Sequence, residues 1–203
     1  LSVPEFSKLA TLEFRPAPSL AGEAPPDPDT SGPRPAPGFG KFGEKGSWRW
    51  YLSGGYGQDF RDTENGFAML GGGVSYFVID DLSLGVELNL LYFRQVGEDP
   101  SGINFNLLAR WHFLVRDRWS LYVDGGAGIL GTTQPVPDRT PESVEGTRFN
   151  FTPQAGGGMT YEIRENTRFF VGLRWHHISN ARSSGDNPAR DSILVYVGVS
   201  FPF

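Results

Sequence analysis

Cysteine is absent from the 203-residue chain, which excludes disulfides, thiolate metal sites and a cysteine nucleophile. Histidine is scarce, with three in all. Basic residues do not predominate: 18 Lys and Arg stand against 23 Asp and Glu, for a net charge of −5, so no nucleic-acid partner is expected. No apolar run approaches the roughly eighteen residues a membrane helix requires. Spanning by a barrel is not excluded on that ground, because a barrel strand needs apolar residues only at alternate positions. The opening "LSVPEFSKLATLEF" has neither the basic n-region nor the apolar h-region of a signal peptide, as expected of a mature form.

Glycine (27 residues) and aromatic side chains (14%) are plentiful, a pairing that suits closely paired, curved strands with ring-rich edges. Two regions differ in habit. Residues 1–46 hold nine of the sixteen prolines. Proline removes backbone donors and favours extended conformations, so this stretch is expected to be a disordered Pro-rich tail or linker rather than helix or sheet.

From Ser47 onward the apolar pattern has a period of two. In "LSLGVELNLLY", Leu82, Leu84, Val86, Leu88, Leu90 and Tyr92 share one face, and Ser83, Gly85, Glu87 and Asn89 share the other. The next segment places Ile103, Phe105, Leu107, Ala109, Trp111, Phe113 and Val115 opposite Asn104, Asn106, Arg110, His112 and Arg116. Strict alternation of this kind predicts strands. Eight are expected, at about 47–58, 66–78, 81–92, 102–116, 118–131, 147–161, 167–179 and 191–203. Their connections alternate between tight turns ("IDD", "RDR", "EIREN") and long polar loops ("GQDFRDTEN", "RQVGEDPSG", "TTQPVPDRTPESVEG", "NARSSGDNPAR").

An even strand count with short turns on one rim and long loops on the other predicts an all-β fold, an eight-stranded antiparallel transmembrane β-barrel of the bacterial outer membrane, with both ends of the barrel and the tail on the periplasmic rim. The polar face carries Arg49, Glu87, Arg110, Asp124 and Arg174, which can pair inside a barrel this narrow while the apolar face meets lipid. A soluble barrel with these faces would expose a wide apolar band to water. The last strand, "VYVGVSFPF", alternates to a terminal Phe203 in the manner of outer-membrane barrel C-termini.

Parity singles out a cluster on the final hairpin. Phe169, Val171, Leu173 and Trp175 lie on the lipid face, and the same parity reaches His177 and Ser179. In the last strand, Ile193, Val195 and Val197 extend backward to Asp191. All three polar residues are therefore expected outside, on neighbouring strands at the long-loop end. Same-face neighbours along a strand are about 6.5–7 Å apart, and cross-strand neighbours about 4.5–8 Å. Asp191 would stand opposite Ser179 or, with a small register change, His177. The types suit acyl transfer: Ser179 as nucleophile, His177 as its base, Asp191 to orient the imidazole, and Asn180, through its side-chain amide or backbone N–H, as donor to the oxyanion. Arg182 and Arg190 flank the site and are candidates to pair with lipid phosphates, set against the ordinary reading of solvated loop charges. His176 should face inward with Arg174. Because successive residues face opposite sides of a strand, His176 and His177 do not form a metal pair.

The "HISN" run, His177 to Asn180, followed by Asn187-Pro188 and an acid just before the last strand, resembles the outer-membrane lipid A 3-O-deacylases (PagL). That resemblance implies an eight-stranded barrel, a lipid A or lipopolysaccharide substrate, hydrolysis of the 3-position ester with release of a hydroxy fatty acid, and no metal or cofactor. The family pattern has Glu as its third member; Asp191 is one methylene shorter. The Pro-rich tail has no counterpart in it. A non-catalytic barrel serving structure, adhesion or binding through its long loops is the alternative, and a homodimer stays open.

Overall fold

The computed structural model describes residues 41–95, 97–137, 146–184 and 187–202. The expected tail up to residue 40 and the terminal Phe203 lie outside the described residues. Nine strands follow one another: β1 Trp48–Asp59, β2 Gly66–Ile79, β3 Leu82–Arg94, β4 Ser101–Val115, β5 Trp119–Val136, β6 Thr147–Phe151, β7 Gln154–Arg164, β8 Thr167–Ser179 and β9 Ala189–Pro202. Every pairing is antiparallel, and β9 returns to β1 with Arg49 opposite Pro202 and Asp59 opposite Ser192. The sheet is thus closed and leaves no edge for aggregation.

The ring has eight positions, because β6 and β7 together fill one of them between β5 and β8. The expected single strand at 147–161 is interrupted at Thr152-Pro153, where proline brings no N–H to the ladder. Register survives the break. Phe151 faces Ile129 and Gln154 faces Gly126, three residues on along both strands. On the other side Phe151 pairs with Ser179 and Gln154 with His176.

Alternation decides which side is which. In β3, Leu84, Val86, Leu88 and Leu90 are 42–58% exposed, whereas Glu87 and Asn89 are 2% exposed. The apolar face is outside, as a lipid-spanning barrel requires, since every backbone polar group is satisfied within the closed sheet. Rings gather near both ends: Trp48 against Tyr76 and Trp50 on Phe201 at the short-turn end, and Phe149 on Phe151 at the long-loop end. Such girdles suit the two membrane interfaces.

Side chains fill the interior. Arg174 on β8 donates to both oxygens of Asp124 on β5, at 3.2 and 2.9 Å, and to Glu87 on β3 at 3.2 Å. Arg110 shares Asp124 at 2.8 Å, and Tyr196 donates to the same carboxylate at 3.1 Å. Tyr51 and Asn89 donate to Glu87. Buried charges persist only when paired and hydrogen-bonded, and this network meets that condition with groups from β1, β3, β4, β5, β8 and β9. Gly172 makes room for it: a Cβ there would stand 2.5 Å from the Tyr196 ring.

The short-turn mouth is closed by residues 41–46. Gly46 N donates to Phe77 O, Asp81 N to Gly43 O and Lys45 N to Asp80 Oδ1. This brace presents the Phe42 ring to Phe77 and His112, with centroids 5.5 and 4.9 Å away.

Candidate active site

The seam between β8 and β9 sets the geometry. His177 and Asp191 are direct cross-strand partners. Each turns its backbone groups away from the seam: His177 N donates to Pro153 O at 3.0 Å, and Asp191 O accepts Phe60 N at 2.9 Å. They therefore form the narrow, non-hydrogen-bonded kind of antiparallel pair, in which side chains approach most closely. His177 Nδ1 lies 2.8 Å from Asp191 Oδ1. Of the two registers open to the sequence, the one opposite His177 is adopted, with Ala189 opposite Ser179.

Both groups lie on the outer surface at the long-loop end, 21% and 20% exposed. A carboxylate on Nδ1 fixes the ring's orientation and leaves Nε2 as the nitrogen able to exchange a proton with a hydroxyl. Ser179 follows two residues later with the same parity, 7% exposed, beside Phe151 on β6 and Ala189 on β9. Among the described residues no hydrogen bond joins the Ser179 hydroxyl to His177. The structure thus brings the base and the acid together, and sets the hydroxyl on the adjoining turn of the pleat.

A tight turn follows immediately. Asn180 O accepts Ser183 N at 3.0 Å, while Ala181 and Arg182 take φ of 51° and 64°, left-handed values that non-glycine residues adopt at a cost of order 1–3 kcal/mol each. Asn180 is 0% exposed. Its Oδ1 accepts Arg182 N at 2.8 Å and its Nδ2 donates to Ser184 Oγ at 3.0 Å. The Asn180 side-chain amide, one of the two groups of this residue expected at an oxyanion, is engaged in the turn beside Ser179.

The flanking arginines separate. Arg182 is exposed on the turn. Arg190 is not at the outer surface: it is 0% exposed, bonded through Nε to Asp59 Oδ2 at 3.3 Å and through Nη2 to Arg94 O at 3.3 Å. Its expected contact with lipid phosphates is corrected accordingly. Being next to the outward Asp191, it must point into the lumen, as alternation dictates. His176 is inside as expected, 3% exposed and against Phe67.

Two residues that sequence reasoning passed over touch Asp191. Trp175 donates its indole N–H to Oδ1 at 3.0 Å, and its ring lies 5.5 Å from the His177 ring. The signal was present, since Trp175 shares the parity of His177 and is the one side chain of the outward set 169–175 able to donate. Arg61, from the β1–β2 loop, brings Nη2 to 3.7 Å from Oδ2 with its side chain 64% exposed. Nothing local marks Arg61, because barrel closure alone brings β1 beside β9.

Comparison with solved structures finds small outer-membrane barrels. The outer membrane enzyme PagL matches with a TM-score of 0.59 at 19% identity, over 75% of this chain and 99% of that one. The N-terminal β-barrel domain of Pseudomonas aeruginosa OprF matches at 0.52 and 20%, over 78% and 98%. Neisserial surface protein A matches at 0.53 and 12%, over 77% and 96%. At these identities the likeness concerns the fold. No curated protein sequence matches the chain. The family model described as lipid A 3-O-deacylase (PagL) matches residues 35–200. That span takes in almost the whole ring and both sides of the His177–Asp191 seam, and the chain belongs to the lipid A 3-O-deacylase (PagL) family.

Proposed function

We propose that the protein is an outer-membrane serine esterase that hydrolyses the 3-O-acyl ester of lipid A, with Ser179, His177 and Asp191 as its triad. The observation that carries this reading is the 2.8 Å His177–Asp191 pair on the lipid-facing surface. A carboxylate–imidazole pair directed at bilayer rather than lumen has no part in packing the interior.

The chemistry follows from position. The ester of a membrane glycolipid lies where acyl chains meet headgroups, so a nucleophile on the barrel's outer rim reaches it without drawing the lipid out of the bilayer. Ser179 Oγ attacks the ester carbonyl as His177 Nε2 takes its proton, and Asp191 stabilises the imidazolium that forms. Collapse of the tetrahedral intermediate breaks the carbonyl–sugar oxygen bond, the imidazolium giving its proton to the departing sugar oxygen, which leaves as a hydroxyl. Water from the long-loop side then releases the 3-hydroxy fatty acid by the reverse sequence. Asn180 contributes by holding the turn that presents Ser179. Arg182, exposed on that turn, is the flanking arginine able to meet a lipid phosphate. With the long loops outward, the Pro-rich tail expected over residues 1–46 belongs to the periplasmic side.

Mass spectrometry of lipid A incubated with the wild type and with Ser179→Ala tests this reading. Loss of one 3-hydroxyacyl group with the wild type and not with the variant is expected. Equal deacylation by both would remove the triad, and no deacylation by the wild type would favour a non-catalytic barrel acting through its loops.

A further inference from the structure

Among the described residues, charge inside the barrel does not balance: five guanidiniums project into the lumen (Arg49, Arg110, Arg168, Arg174 and Arg190) against four carboxylates (Asp59, Glu87, Asp124 and Glu162). Arg190 pairs with Asp59, Arg174 and Arg110 share Asp124, Arg174 also reaches Glu87, and Arg168 takes Glu162 at 2.9 Å. Arg49 is left over. It is 1% exposed, and its hydrogen bonds go to neutral groups, the Asn166 carbonyl and Ser200 Oγ and O; the carboxylate whose charge acts on it, Glu162, is the one Arg168 already engages. Burying two cations against one shared carboxylate leaves a charge uncompensated, which is costly.

The surplus sits at a cavity. Arg49, Arg110 and Arg168 line a space of about 30 Å³ at the short-turn end, together with His112 and Ser200, and no carboxylate lines it. Two of these three lining residues carry a buried donor with no hydrogen-bond partner among the described residues, Arg49 Nη1 and Arg168 Nε. Phe42 covers the space, with its ring centroid 4.0 Å from the Arg168 guanidinium and 5.5 Å from that of Arg49. Such a cavity holds one water-sized particle. A neutral water could satisfy the donors but not the charge.

We propose that this cavity binds one small monovalent anion of the chloride type, coordinated by Arg49 Nη1 and Arg168 Nε, which neutralises the fifth guanidinium and ties β1 to β8. The site is independent of the outer esterase surface and does not rest on that reading. A ligand that binds the folded state stabilises it in proportion to its occupancy.

The test is urea unfolding of the full chain in detergent, in sodium chloride and in sodium gluconate at equal ionic strength, gluconate being too large for the cavity. A saturable rise of the midpoint by about half a molar or more is expected once chloride stands roughly tenfold above its dissociation constant. Arg49→Gln, which balances the lumen at four against four, should make the midpoint the same in both salts. Should that variant not fold, crystals of the wild type soaked in bromide provide the second reading, with an anomalous peak expected between Arg49 and Arg168. Identical wild-type midpoints in chloride and gluconate, a chloride dependence that persists in Arg49→Gln, or a cavity without bromide would overturn the proposal.

Discussion

Trp175 donates its indole N–H to Asp191 Oδ1 across 3.0 Å, on the same oxygen that His177 Nδ1 meets at 2.8 Å. The carboxylate is thus fixed from two directions by side chains on one strand. An aspartate side chain has fewer torsions than the glutamate of the family pattern, and the cross-strand pairing already brings it within reach of the ring. In the proposed reaction Trp175 is a positioning residue.

Trp175→Phe keeps the ring and removes the donor. A hydrogen bond to a charged group contributes about 1.5–3 kcal/mol, of which half or more should appear in the barrier, so kcat should fall about tenfold with KM little changed. A rise in KM alone would make Trp175 a lipid contact rather than a support for Asp191.

At Asp191, the third member of the proposed triad, the charge should matter more than the length. Asp191→Asn should lower kcat by about 10³-fold or more, since the imidazolium loses its partner. Asp191→Glu should stay within about tenfold of the wild type. Steady-state release of 3-hydroxy fatty acid measures both, and a more active Asn than Glu variant would contradict the assignment.

Arg190→Ala should act on stability. Removing one partner of a buried ion pair costs about 3–5 kcal/mol, because Asp59 would remain charged and only 1% exposed. A lower urea midpoint is expected, together with a phosphate dependence of lipid A binding that matches the wild type. By contrast, Arg182→Ala should leave the midpoint near its wild-type value and weaken binding to phosphorylated lipid A.

Ala181→Gly should raise stability. Glycine enters the left-handed region without the Cβ penalty, and at φ of 51° the relief should exceed the added freedom of the unfolded chain, for a net gain of about 0.5–1 kcal/mol. Urea titration checks the sign.

Phe42→Ala should destabilise the short-turn end. Phe42 is half-buried, so truncating it should cost less than the roughly 3–5 kcal/mol of a fully buried phenylalanine, about 1–3 kcal/mol, and the Arg168 and Arg49 guanidiniums also lose the ring they face. A fall in the urea midpoint is expected, and an unchanged midpoint would show that Phe42 closes nothing.

Alternation by itself determined the faces of this barrel. From the period of two follow the lipid side of Leu84 to Tyr92, the luminal charges at Arg49, Glu87, Arg110, Asp124 and Arg174, and the outward set of His177, Ser179 and Asp191. The alternating loop lengths add the two rims. All of these are local properties of the strands, legible without knowing which strand lies beside which. Tertiary structure decided what depends on register and closure: that Asp191 stands opposite His177 rather than Ser179, that β1 brings Arg61 to the same carboxylate, that Pro153 splits one position of the ring, and that Phe42 folds under the mouth. Arg190 was misplaced because nearness in sequence was given more weight than its parity, and the turn that engages the Asn180 amide is not written in the pattern. Cross-strand partners are set by pairings between distant segments, whose energy comes from the completed ring and its buried ion network, and no window of a single strand contains that information.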